Sequence, residues 1–348
     1  MFILSMHSLR AIAMLLIVAG HCFPFSFLYR DNDLWGQLVF NVISNGSSLF
    51  VLISGFFFHH VFYARFDYGR FLKKKIKNVV CPYLFLSVIV VLLFRLGQPD
   101  PRLGGFFEPQ GTGIIDLYLI PFIKYLIFGG ATTAYWYIPF IFLMFCLSPL
   151  HKKYADLGLV SSLVILLLSF LLSMLVHRPQ YNLNVFQSLI YYQSFYLAGI
   201  LFSKYYQPVS QWIVRNLHFL ILVFLLCNFA MAYVYPVANL QDGTVPYTIL
   251  ERYVPFKLLE FFVLYGLFER FAFLNVKPLS WFADMSFAVY FIHPIVIAGI
   301  KEHWLKFDLS LPWIQFWLSC FLVIAVCMLL AVSLKKAFGD RTRVFVGW

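Results

Sequence analysis

The sequence predicts an all-α integral membrane protein with about ten transmembrane helices and both termini in the cytoplasm. Its 348 residues are 62% hydrophobic and 12% charged, whereas a soluble domain has about 45–50% apolar and about 25% charged residues. Apolar runs of about 20 residues, long enough to cross a bilayer, recur along the chain. Basic residues cluster beside alternate runs, as in cytoplasmic loops. The length fits one membrane domain over residues 1–348, with no soluble domain attached.

Ten apolar runs are candidate spans. Their approximate bounds are 8–28, 36–62, 78–97, 135–150, 158–176, 185–203, 212–234, 254–271, 281–300 and 313–335. An eleventh run, 116–128, is only about 13 residues long and carries Asp116, Pro121 and Lys124. We therefore interpret it as an interfacial or re-entrant helix.

The distribution of positive charge supports this count. With the N-terminus inside, 17 of the 26 lysines and arginines fall in cytoplasmic segments, and the other 9 lie outside or at the outer edge. A full span at 116–128 would invert everything after it and place Lys152 and Lys153 outside. The net charge is +11, but the basic residues adjoin apolar runs. This pattern favours membrane orientation and an anionic ligand over nucleic acid.

Several catalytic and metal-binding motifs are absent from the sequence. The 6 cysteines form no CxxC pair, and the chain contains no HExxH, no GxSxG and no glycine-rich phosphate loop. We therefore expect no metal site and no permanently bound cofactor. Zinc hydrolysis, a serine triad of the soluble type and an ATP-driven motor are disfavoured as well.

The first predicted span carries two polar residues, Arg10 and His21. Eleven residues at about 100° each make about three turns, so both side chains share one helix face, about 16 Å apart along the axis. A histidine inside an apolar helix is costly and indicates a functional site. A neutral imidazole can act as general base toward a hydroxyl, and an arginine at the cytoplasmic edge can hold an anion. The alternative is a packed histidine that bonds a neighbouring helix.

A basic segment leads into the third predicted span. Arg70, Lys73, Lys74 and Lys77, together with Lys75, would place several cations at one helix mouth. Such a cluster could hold the phosphates of a nucleotide-bearing donor such as acyl-CoA. The alternative is ordinary positive-inside charge in contact with lipid headgroups.

Three further features are candidates for the lining of a polar cavity. Ser286, Tyr290 and His293 follow one another at spacings of four and three, so they share a helical face; a structural hydrogen-bond network is the alternative. Ser54 belongs to a set of small residues at 46–48 and 54–55, for which close helix packing is the simpler interpretation. Trp136 begins the fourth span, where an interfacial aromatic anchor is expected.

Taken in order, these segments resemble the acyltransferase 3 family of integral-membrane acyltransferases, which acylate surface glycans and related acceptors. Five elements carry the resemblance: the Arg10-to-His21 pair, the LFVLISGF segment at 49–56, the basic entry at 70–83, the YWYIP segment at 135–139 and the segment at 286–294. Three features depart from the family pattern. His7 replaces an acidic residue, and Ala11 replaces a glycine. The paired arginines of the basic segment become Arg70 and Lys73, and lysine lacks the bidentate fork of arginine.

The resemblance implies ten spans with cytoplasmic termini and a short, single-domain O-acetyltransferase. The sequence itself does not identify the glycan that accepts the acyl group. Acetyl-CoA would be the donor substrate, with its phosphates on Arg10, Arg70 and the lysines from Lys73 to Lys77. His21 would take the proton of an acceptor hydroxyl on a cell-surface glycan or lipid-linked sugar. The expected location is the bacterial inner membrane, and no particular oligomeric state is predicted. The alternative function is a secondary transporter or flippase for a glycan or lipid intermediate.

Overall fold

The computed structural model describes residues 3–27, 34–95, 105–109, 111–179, 182–234, 250–304 and 311–348. All regular structure in these ranges is helical. The α-helices are α1 Leu4–Cys22, α2 Leu34–Ile43, α3 Ser47–Phe57, α4 Tyr68–Lys75, α5 Cys81–Val90, α6 Ile120–Phe128, α7 Tyr137–Cys146, α8 Ser148–Asp156, α9 Leu159–Val176, α10 Val185–Lys204, α11 Tyr206–Arg215, α12 Leu217–Val234, α13 Tyr253–Arg270, α14 Lys277–Trp304, α15 Pro312–Phe338 and α16 Thr342–Phe345.

Within the described residues, seven helical stretches are long and apolar enough to cross a membrane. They are Leu4–Phe25, Leu34–Arg65, Tyr68–Arg95, Leu159–Val176, Val185–Lys204, Lys277–Ile300 and Pro312–Phe345. The pair α11 and α12, bent by 73°, makes an eighth if it is counted as one span. All eight overlap predicted spans. The predicted outer ends of the first and third spans, at residues 28 and 97, lie outside the described residues.

Two predicted spans coincide with helices that are not among these eight, one because it is short and one because it carries charged residues. The prediction at 135–150 coincides with the short apolar helix α7. The prediction at 254–271 coincides with α13, which has 18 residues but carries four charged side chains, two of them deeply buried. The run at 116–128 forms a π-helical turn, Ile115–Leu119, followed by α6.

The second predicted span, 36–62, is not a regular continuous helix. α2 ends at Ile43 and α3 begins at Ser47. Between them Asn45 adopts a left-handed backbone with φ 53°, a conformation that asparagine tolerates better than most residues. The following Gly46 adds backbone freedom. The polar stretch at 44–48, with its Asn-Gly step, was the sequence signal for this break, but the apolar runs on either side of it favoured a single span.

The core of the helical assembly surrounds α1, which packs along α14 and also contacts α3, α13 and α15. α3 and α10 cross at very close range. A Cβ atom on Gly55 would collide with the backbone carbonyl of Tyr196, and one on Gly199 would collide with that of Leu52. The small residues of the second span therefore let two backbones approach each other, as the packing interpretation of that segment expected.

Candidate active site

The break between α2 and α3 forms one wall of a cavity of about 230 Å³. The opposite walls come from α1, from the start of α7, from α14 and from the segment after α9. Three of the predicted site residues, His21, Trp136 and Tyr290, line this cavity. The other lining residues are Ile17, Gly20, Phe40, Ile43, Ser44, Asn45, Gly46, Ser47, Thr133, Ala134, Tyr137, Arg178 and Asn182.

His21, which lines the cavity, contacts a second, fully buried histidine from another helix. The ring centroids of His21 on α1 and His293 on α14 are 5.4 Å apart. Nδ1 of His293 donates to the carbonyl oxygen of Val289 at 3.0 Å, and because a carbonyl can only accept, this nitrogen carries the proton. Nε2 of His293 is buried and has no hydrogen-bond partner in the described part of the chain. It therefore offers a lone pair beside His21.

The polar stripe of α14 joins this helix to the start of α7. The Tyr290 hydroxyl donates to the carbonyl of Ala134 at 2.5 Å, and the Tyr135 hydroxyl donates to the carbonyl of Phe291 at 2.8 Å. Pro294 has no backbone N–H, so the helix is locally short of one hydrogen bond. These side-chain bonds to neighbouring backbone hold α14 and α7 together at that point.

Arg10 is fixed to α14, some three turns from the histidine pair. Its Nε and Nη2 donate to the carbonyl of Ala283 at 3.1 and 2.6 Å, and Nη2 lies 3.9 Å from the Asp284 carboxylate. Ser286, the remaining member of the predicted stripe, donates to the same Ala283 carbonyl at 2.7 Å. The Arg10 side chain is 33% exposed. The structure thus separates Arg10 and Ser286 from the cavity that His21 lines.

The basic segment lies at the start of the third span. Asp67 caps α4 by accepting from the backbone N–H of Arg70 at 2.7 Å. Arg70 and Lys74 line a second, smaller cavity of about 120 Å³, and Lys73 and Lys77 are exposed. Lys75 differs from its neighbours because its Nζ lies over the Phe145 ring, 4.3 Å from the centroid.

A second basic group, on α8, is partly neutralised. Lys152 pairs with Asp156 at 2.9 Å, and the Tyr63 hydroxyl donates to the same carboxylate at 2.6 Å. The Tyr63 hydrogen bond and the Lys152 partner lower the pKa of Asp156 below its ordinary value. Lys152 is therefore already engaged, unlike Lys73 and Lys77.

Ser54 and Trp136 occupy the protein interior near the cavity. Ser54 is half-buried and lies beside the hydroxyl of Tyr137, a lining residue. Trp136 is 5% exposed and stacks on Phe140 and Tyr192. An interfacial anchor would be exposed at the membrane surface, so that interpretation does not describe Trp136.

Sequence reasoning missed Arg178, which also lines the cavity. Its guanidinium lies over the Trp136 ring, 5.5 Å from the centroid, and its Nε donates to Asn182 Oδ1 at 2.5 Å. The sequence placed this arginine among the outer-edge charges. Its position directly after an apolar helix and before Pro179 gave no sign that it turns inward.

Sequence reasoning also missed the polar network that holds the helix break. Nδ2 of Asn45 donates to the Tyr191 hydroxyl, and the Tyr192 hydroxyl donates to Asn45 Oδ1, both at 2.9 Å. Lys257 on α13 donates to the carbonyl of Val42 at 2.6 Å, near the end of α2. It also pairs at 2.6 Å with Glu260. The signal available in the sequence was the charge pair inside a predicted span.

In the described residues, no group of three or more His, Cys, Asp or Glu side chains is placed to hold a metal ion. The cavity instead brings together imidazole, hydroxyl, amide and guanidinium groups. These can accept a proton from a hydroxyl and bind an oxygen-rich ligand.

The comparisons with known proteins agree with this chemistry. No curated protein and no solved structure matches the chain. A family model described as an acyltransferase domain, acyltransferase 3, matches residues 3–332. The match covers almost the whole chain, from the helix that carries His21 to the helix that packs beside α14. This protein therefore belongs to the acyltransferase 3 family.

Proposed function

We propose that this protein is a membrane O-acetyltransferase that moves an acetyl group from acetyl-CoA to a hydroxyl of a cell-surface glycan or lipid-linked sugar. Membership of an acyltransferase family supports the reaction class. The observation that carries the proposal is the contact of His21, which lines a polar cavity, with His293 behind it. Histidines inside an apolar assembly are costly to bury, and acid–base chemistry gives this pair a function.

In the proposed reaction, His21 is the general base. The acceptor hydroxyl loses its proton to His21 as its oxygen attacks the thioester carbonyl carbon, and the carbon–sulfur bond breaks. The sulfur of CoA leaves and takes up a proton, which returns the imidazole to its neutral form. Nε2 of His293 accepts a hydrogen bond from His21 or from the bound hydroxyl and so orients the reacting groups.

The donor is proposed to dock from the cytoplasm on the basic residues. Arg70, Lys73, Lys74 and Lys77 would bind the phosphates of acetyl-CoA, and Arg10 would attract the donor at the same membrane face. The exposure of Lys73 and Lys77 supports this role. Arg10 is the weaker member, because the Ala283 carbonyl and Asp284 already engage its guanidinium.

We also propose ten spans with both termini in the cytoplasm of a bacterium, in its inner membrane. α7, the bent pair α11–α12 and α13 would then complete the set begun by the seven apolar stretches. Protein-buried spans need not be uniformly apolar, because neighbouring helices satisfy their polar groups. The ion pair of α13 is an example.

The test is acetyl transfer by the full chain in bacterial membranes supplied with radiolabelled acetyl-CoA. We expect His21→Ala to lower transfer of label to glycan by about 100-fold or more, because general bases contribute about 10²–10⁴-fold. His218→Ala is the matched control, since His218 is exposed on α12 and lies outside the proposed site. Transfer near the wild-type rate by His21→Ala would end the proposed role of His21.

A further inference from the structure

The cavity has a one-sided charge distribution. Arg178 is the one permanently charged side chain among the described lining residues, which include no aspartate or glutamate. In the described part of the chain its guanidinium bonds only the neutral amide of Asn182 and stacks over Trp136. It forms no ion pair there. A guanidinium at a cavity wall that forms no ion pair leaves its charge available to an anionic ligand.

The backbone on the opposite wall has the same polarity. Two cavity-lining residues form the N-terminus of the 11-residue helix α3: Gly46 is its N-cap and Ser47 is its first residue. No side chain caps the N-terminus of α3, and a helix N-terminus carries a partial positive charge. A ligand bound in this cavity would therefore meet positive potential from Arg178 and from the start of α3, with Asn45 and Ser44 as neutral hydrogen-bonding groups among the lining residues.

From this charge distribution we propose that the acceptor is anionic, and that Arg178 binds a carboxylate or phosphate of the acceptor while the hydroxyl to be acylated reaches His21. The proposal rests on the acetyltransferase function above and specifies its acceptor. Arginine suits this task because its planar fork can bind carboxylate or phosphate oxygens in pairs. Trp136 beneath the guanidinium restricts its movement and so presents the fork to the cavity.

The rival interpretation gives Arg178 a purely structural role, in which it holds the segment after α9 through Asn182. That role needs the Nε hydrogen bond but not the charge. Arg178→Gln removes the charge and keeps an amide donor, and Arg178→Lys keeps the charge but loses the fork. A structural role predicts a change in folding, or a change in the KM for the acceptor and in the KM for acetyl-CoA together. Binding of an anionic acceptor predicts a change in the acceptor KM with the acetyl-CoA KM unchanged.

The first measurement is the charge of the product. Membranes containing the wild-type chain are incubated with radiolabelled acetyl-CoA, and the labelled glycan is applied to an anion-exchange resin before and after mild acid, which cleaves lipid pyrophosphate linkages. We expect the label to bind the resin before acid. Label that still binds the resin after acid places the anion on the sugar, and label that becomes neutral places the anion on the lipid carrier.

Labelled product that is neutral before acid overturns the proposal but leaves the acetyltransferase function standing. Absence of any labelled glycan overturns both.

The second measurement is kinetic and uses glycan extracted from the same host as acceptor. We expect Arg178→Gln to raise the acceptor KM by about 10- to 100-fold, the range of one charge-assisted hydrogen bond, and Arg178→Lys to raise it less. Arg215→Gln is the control, because Arg215 is exposed on α11.

If Arg178→Gln does not fold, the result for Arg178→Lys decides. An acceptor KM above the wild-type value, with the acetyl-CoA KM unchanged, supports the proposal. An acceptor KM at the wild-type value in every folded Arg178 variant overturns it.

Discussion

The two ring nitrogens of His293 have different environments. One nitrogen has a structural hydrogen bond, and the other is available for the proposed reaction. Nδ1 is committed to the Val289 carbonyl within its own helix. Nε2 is buried and has no hydrogen-bond partner among the residues that the structure describes, and an unsatisfied buried nitrogen is costly unless a ligand or substrate uses it. The proposed reaction gives Nε2 such a use.

Two substitutions of His293 distinguish the nitrogens. His293→Asn places an amide donor where Nδ1 lies, so it preserves the bond to Val289 and loses the function of Nε2. We expect this variant to fold and to lose about 100-fold in kcat, within the usual range for a group that assists proton transfer. His293→Gln, which can place an oxygen near the Nε2 position, should lose less. Acetyl transfer measured in membranes decides, and an Asn variant as active as wild type would show that Nε2 takes no part.

Spacing along the sequence predicted which residues share a helix, and this part of the site was accessible without a structure. It placed Arg10 with His21 on α1, and Tyr290 with His293 on α14. It could not predict that Arg10 would bond the carbonyl of Ala283, because that contact depends on how two helices pack. Arg178 was inaccessible for the same reason, since no periodicity links it to the other site residues.

At the scale of elements, the broken second span is what creates the cavity. In a continuous helix over 36–62, the backbone groups of residues 44–47 would all be engaged in the hydrogen bonds of that helix. The break instead turns their segment toward His21, and the ends of the two helices are held from outside by Lys257 and by Tyr192. Backbone outside regular helix is tolerated at membrane depth where it is enclosed by protein and lines a cavity.

The contact between α3 and α10 fixes α3, and therefore one cavity wall, by backbone proximity. We expect Gly199→Ala to destabilise the protein by about 1–3 kcal/mol or more, because a methyl group there collides with the Leu52 carbonyl and neither backbone can yield cheaply. Gly299→Ala is the matched control, since a Cβ atom on Gly299 meets no atom within 4 Å. Thermal unfolding in detergent measures both. Equal transition temperatures for the two variants would contradict the close crossing.

At the scale of the whole molecule, the helices that hydropathy predicted best are those that face lipid. α9 is the clearest case: only 11% of its apolar window is buried inside the protein, so its composition is set by the bilayer. The stretch Lys277–Ile300 is 67% buried and combines polar side chains with apolar ones. α13 carries an ion pair because its partners are protein groups rather than lipid. Hydropathy could therefore indicate where these helices lie, but not the polar contacts between them.

The side of the membrane on which each segment lies can be tested by counting crossings between two exposed positions. With ten spans, one crossing separates residue 112 from residue 153, and an even number separates residue 153 from residue 343. Thr112, Lys153 and Arg343 are all exposed, so each can be replaced by cysteine in a chain whose exposed Cys227 has been changed to serine. We expect Thr112→Cys to react with a membrane-impermeant maleimide in intact cells, and Lys153→Cys and Arg343→Cys to react only after the cells are opened. Reaction of all three in intact cells would mean that the segment 116–128 crosses the membrane and that the C-terminus lies outside.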